Sequence, residues 1–111
     1  MTSNAGTHNP SVIDLVTLNH QAGDVRLIMV QTEPWEGSER QLRQLKEKTR
    51  NYISFTRDGQ LMKTYPETAG RPVTIQLDVP SEPIDQMAAA IASLKELAKQ
   101  NGIGFEVNVL P

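Results

Sequence analysis

Histidine is the side chain that moves protons most readily near neutrality, and the 111-residue sequence contains two, His8 and His20. His8 falls in the polar stretch MTSNAGTHNP, and His20 falls in NHQAGD, whose Asn, Gly and Asp are turn formers. Asp14, His20 and Asp24 offer an O, N, O donor set, but their spacing matches no metal motif. Carboxylates gather in EPWEGSE, where Glu33 and Glu36 flank Trp35. Paired carboxylates beside an aromatic ring suit sugar chemistry. The same acids, placed just before a helix, also favour its positive end, which is the simpler account. The absence of cysteine excludes disulfides, thiolate zinc sites and a thiol nucleophile. GIG at 102–104 leads into a strand, so no helix amides follow it to cradle a phosphate. No G-x-S-x-G occurs, and Ser38 and Ser81 read as helix caps. The inventory points away from catalysis and implies no cofactor and no metal.

Charge is more informative. The net charge is −2, which argues against a dedicated nucleic-acid binder. Residues 40–71 nevertheless hold eight Lys or Arg against three acids, a local net of +5, and the remainder is net −7. On a helix, Arg43, Lys46, Arg50 and Arg57 fall within about 60° of one another. Such a flank is a solvated face or a surface for a protein partner.

The elements that would position these residues follow from periodicity. SVIDLVTL, residues 11–18, and VRLIMVQT, residues 25–32, read as strands joined in a hairpin. The second is apolar on both faces and therefore central or covered. Ser38, with Gln41 three residues on, predicts a capping box. The helix it opens carries Leu42, Leu45, Thr49, Tyr52, Ile53 and Thr56 on one stripe, and RDG ends it at Gly59. VTIQLDV, residues 73–79, alternates as a strand with one buried and one wet face. A second helix is expected from Ser81, with Pro83 in its first turn and Ile84, Met87, Ile91, Leu94 and Ala98 on its apolar stripe. NG at 101–102 stops it, and FEVNVL, residues 105–110, is the last strand.

The order ββαβαβ predicts an α+β two-layer sandwich, a four-stranded mixed sheet with two helices on one face. Residues 1–10 read as a disordered N-terminal tail without a signal peptide, and 11–111 as a single domain. No apolar run is long enough to span a membrane, so a cytoplasmic location is expected. The sheet's second face is left bare, which makes a homodimer through the sheet or its edge a further expectation.

GQLMKTYPETAGRPV, residues 59–73, is a long connection for so small a chain. Proline biases Tyr65 and Arg71 toward extended backbone, so this loop is stiff. Leu61, Met62 and Tyr65 are expected to fold back onto the first helix. Alternatively, Tyr65 and Arg71 stand at the rim of a partner surface.

LKEKTRNYISFTRDGQLMKTYPETAGRPVTIQL, residues 45–77, resembles a family of small bacterial proteins known only as a domain of unknown function. Leu45, Glu47, Lys48, Tyr52, Phe55, Gly59, Tyr65, Pro66, Gly70 and Arg71 carry the likeness, which extends more weakly upstream to VIDLV, LIMV and Trp35. Lys46, Thr49 and Arg50 depart from the family's pattern, and Thr49 softens the stripe where an aliphatic side chain would be buried. The resemblance implies no activity.

The sequence therefore reads as a non-catalytic module that binds an unidentified protein partner through Arg43, Lys46, Arg50, Arg57, Tyr65 and Arg71. Beside it stand a structural homo-oligomer using the sheet face, and a small-ligand binder or carboxylate enzyme near Trp35.

Overall fold

The computed structural model describes residues 15–18, 23–31 and 34–110. Strands β1 (Leu15–Leu18) and β2 (Val25–Val30) are followed by helix α1 (Glu39–Arg57), short helix α2 (Gln60–Thr64) and a 3₁₀ turn (Pro66–Thr68). Strand β3 (Val73–Val79), helix α3 (Asp85–Gln100) and strand β4 (Gly104–Val109) complete the order. The sheet runs β1-β2-β3-β4, with β1 antiparallel to β2 and the other neighbours parallel. The architecture is the α+β mixed sheet that the ββαβαβ order predicts. None of the described helices is long and apolar enough to cross a membrane.

In-register pairing aligns side chains of one parity on one face. Val25, Leu27 and Met29 stand beside Val73, Ile75 and Leu77, and the last two stand beside Phe105 and Val107. This row forms a single core with Leu45, Tyr52 and Ile53 of α1 and Met87, Ile91, Leu94 and Ala98 of α3. Both long helices therefore cover the same face, as right-handed crossovers between adjacent parallel strands require. Residues of the other parity, Arg26, Ile28, Val30, Thr74, Gln76 and Asp78, are half-buried on the far face.

Several boundaries differ from the sequence reading. Ser38 caps α1, its hydroxyl accepting from the Gln41 N–H at 3.2 Å. The reciprocal half of the expected box is absent. Gln41 instead turns outward from the helix, accepting from Glu36 N–H and donating to the Pro34 carbonyl, both at 2.9 Å, and so ties down the approach to the helix. Helix α3 starts at Asp85, with Ile84 in the cap position, and not at Ser81. Ser81 has another task, because the Trp35 indole N–H donates to its carbonyl at 3.0 Å. The expected apolar stripe accordingly loses Ile84, which is exposed, and keeps Met87, Ile91, Leu94 and Ala98.

The 59–73 connection is not a plain loop, and the described residues hold a third helix where two were expected. Gly59, at φ +83°, takes the left-handed conformation that lets the chain turn straight from α1 into α2. Of the three residues expected to fold back, Leu61 alone does so, at 2% exposure. Met62 is exposed and Tyr65 is 38% exposed, so the Tyr65 ring is not the core anchor. A five-residue helix has only one inward direction, and Leu61 occupies it.

Candidate functional site

Helix α1 carries the expected cationic flank. The apolar stripe turns Leu45, Thr49, Tyr52 and Ile53 inward, and a rotation of about 100° per residue then leaves Arg43, Lys46 and Arg50 exposed on one side. These three border an open cavity of about 630 Å³, together with Glu39, Leu42 and Glu47. Among the described residues none of the three cations has an ion-pair partner within 4.0 Å. The arrangement presents three positive charges beside the half-buried Leu42, with two carboxylates among them. Arg57 lies further along and donates to the Asn101 side chain at 3.1 Å, which joins the end of α1 to the end of α3.

Lys48, also on α1, faces the opposite way and is fully buried. Its ammonium lies 5.9 Å from the centroid of the Tyr52 ring, within the range of a cation–π contact. The Tyr52 hydroxyl donates to the Ile28 carbonyl at 2.9 Å, at the level where β1 begins to pair with β2. The spacing contained this signal: Lys48 stands three residues after Leu45 and four before Tyr52, the separations that place side chains on one helix face.

The remaining expected surface residues are used differently. Arg71 turns toward the protein. Its Nε donates to the Glu67 carbonyl at 2.9 Å and its Nη1 approaches the Gly23 carbonyl at 3.4 Å, stitching the connection to the β1–β2 turn. The Tyr65 carbonyl accepts from both the Thr68 N–H at 2.9 Å and the Thr68 hydroxyl at 2.7 Å. These bonds make the segment stiff, with the Tyr65 ring partly exposed on its outside.

Around Trp35, Glu33 lies outside the described residues. The Glu36 carboxylate accepts from the Ser38 hydroxyl at 2.7 Å and from Arg40 at 2.9 Å. The Ser38 hydrogen bond, and then Arg40, hold its pKa below the ordinary 4.5. A carboxyl that serves as a general acid near neutrality needs the opposite shift, so Glu36 is an organiser of the helix start. Asp14 and His20 of the considered O, N, O set also lie outside the described residues, as does His8. Among the described residues no group of three or more His, Cys, Asp or Glu could hold a metal ion.

Sequence reasoning missed an array on the open sheet face. Arg26 on β2 donates to Gln76 on β3 at 3.1 Å and makes a short ion pair with Glu106 on β4. Its Nε lies 3.4 Å from Asp24. Gln76 also donates to Asp78 at 2.8 Å, and Asn108 donates to the same carboxylate at 3.1 Å. The Glu106 hydrogen bond raises the Arg26 pKa further above its usual range. Asp24 Oδ1 is buried without a hydrogen-bond partner among the described residues. The signal was the shared parity of Arg26, Gln76, Asp78, Glu106 and Asn108, which becomes a cluster only once the strand order and register are fixed. With its donors and acceptors mostly turned on one another, the array braces three strands and makes this face wet.

A model described as a family of unknown function (DUF6572) matches residues 6–111. No curated protein and no solved structure matches the chain.

Proposed function

Because the chain belongs to that family, whose name carries no activity, we propose its role from surface chemistry: a non-catalytic interaction module that takes an acidic protein segment against α1. One observation carries this reading. Arg43, Lys46 and Arg50 are exposed together beside an open cavity, with no ion-pair partner among the described residues. Cations already neutralised at home contribute little to recognition, whereas unpaired ones steer an acidic partner toward the surface and fix its register. Leu42 gives the partner an apolar contact beside the charges. Arg57 extends the flank toward Asn101, and Tyr65 offers an exposed aromatic edge on the segment that follows. Arg71 supports that segment from beneath.

The test is capture by tagged protein at two salt concentrations, run beside an Arg43→Glu, Arg50→Glu variant whose fold is checked by circular dichroism. A partner held by the wild type and weakened at least about tenfold by the reversal supports the module. The reading fails if the folded variant captures the same partner equally well, or if the wild type captures none at low salt.

A further inference from the structure

Strand β4 forms an edge of the sheet, and among the described residues no further strand pairs with it. The Leu110 N–H donates to the Val79 carbonyl at 2.8 Å, and this fixes the backbone phase. Glu106 and Asn108 turn their N–H and C=O groups to β3, while Phe105, Val107 and Val109 turn theirs outward. Edges are generally blunted by shortness, lysine, proline or a bulge. Strand β4 runs six residues in unbroken register without lysine, proline or a bulge, its one charged residue Glu106 is turned toward Arg26, and Val109 and Leu110 are each 40% exposed. Beside the edge on the helix side lies an apolar groove of about 230 Å³, lined by Ala88, Ile91 and Ala92 of α3 and Val107 of β4. Glu82 borders it before α3 begins and Lys95 borders it further along the helix.

We propose that this edge is a homodimer interface, with β4 of a second copy added antiparallel to β4 and the two α3 helices meeting over the joint. The commitment to a second copy rests on self-complementarity. A two-fold axis through Val107 sets Phe105 opposite the second copy's Val109, and about six main-chain hydrogen bonds close between the outward-facing groups. It sets Glu106 opposite the second copy's Asn108, an amide donor against a carboxylate, at a position where side chains approach most closely. Moving the axis to Glu106 would place two carboxylates face to face. Moving it to Asn108 would carry Phe105 past the end of the facing strand.

The helices obey the same axis. Antiparallel α3 helices bring Glu82 of each copy toward Lys95 of the other, and neither residue has an ion-pair partner among the described residues. Ala88 and Ala92 between them are small enough for close approach. One two-fold axis thus satisfies the strand edge, the groove and both charges.

Sedimentation equilibrium on the full chain tests the proposal. The wild type should be dimeric at about 0.1 mM. Ala92→Arg should raise the dissociation constant at least about tenfold, with an unchanged circular dichroism spectrum and melting temperature. Glu82→Lys and Lys95→Glu should each weaken the dimer, and the double swap should restore it. A wild type that stays monomeric at that concentration overturns the proposal, and so does a dimer indifferent to Ala92→Arg or to both single swaps.

Discussion

At the scale of single residues, burial separates side chains that composition treats alike. Leu61 and Tyr65 stand four apart in the same connection, yet Leu61 is buried and the Tyr65 ring is largely outside. Leu61→Ala should cost about 2–5 kcal/mol of unfolding free energy, from lost transfer energy and the cavity left behind. Tyr65→Ala should cost under about 1 kcal/mol, as substitutions at exposed positions do. Urea unfolding of the two variants decides the order, and a larger loss for Tyr65 would mean that its ring carries the segment. Thr49 is a second case. It is fully buried where an aliphatic side chain would suit the stripe, and its hydroxyl bonds back to the Leu45 carbonyl at 2.8 Å. That carbonyl also has the helix's own N–H partner, so Thr49→Val leaves no polar group stranded. Its stability should change by less than about 1 kcal/mol, with gain the expected direction. The stripe itself was legible because two helical turns suffice to show it, and Leu45, Thr49, Tyr52 and Ile53 supply them. The core reading of Tyr65 fails, while the alternative of a rim position stays open, because an aromatic ring in a stiff segment carries no periodicity to say which way it points.

At the scale of elements, the interiors of helices and strands were legible and the junctions were not. Periodicity averages over two turns or several alternations, so α1, β3 and the body of α3 appear in the sequence where they appear in the fold. Helix α2 is too short for such averaging, with Leu61 as its one buried residue. The start of α3 was misplaced for a different reason: Ser81 has the chemistry of a cap but its carbonyl is engaged by Trp35, a contact 46 residues away in the chain. The same corner yields a pH prediction. Glu36 has a folded pKa below its ordinary 4.5, because the ionised form is held by Ser38 and Arg40. A depressed carboxyl stabilises the fold above its unfolded pKa, and that contribution is lost as pH falls through the lower folded value. Melting temperature should therefore decline below about pH 4.5, and Glu36→Gln should flatten part of that decline while leaving the curve above pH 6 unchanged in shape. Equal acid sensitivity in the two proteins would remove Glu36 from the account.

At the scale of the whole molecule, charge and strand edge separate two surfaces that answer to different physics. The cationic flank of α1 was legible in the sequence, since Arg43, Lys46 and Arg50 need only the helical repeat to come together. The β4 edge was not, because which strand ends the sheet depends on a strand order set by crossovers. The Arg26 array stayed hidden for the same reason, its members lying up to 80 residues apart in the chain. These two surfaces should separate in salt. Attraction between exposed charges is screened within about 8 Å at physiological ionic strength and about 3 Å at 1 M, whereas main-chain hydrogen bonds and apolar contact at an edge respond far less. Partner capture through α1 should therefore fall steeply between about 0.05 and 0.5 M salt, while the dimer dissociation constant moves by less than about tenfold. Arg43→Glu with Arg50→Glu should abolish the first and spare the second, and Ala92→Arg should do the reverse. Capture and sedimentation measured on the same preparations give the answer. Were the α1 reversal to dissolve the dimer, α1 itself would be the self-association surface, and β4 would be an edge left open for another reason.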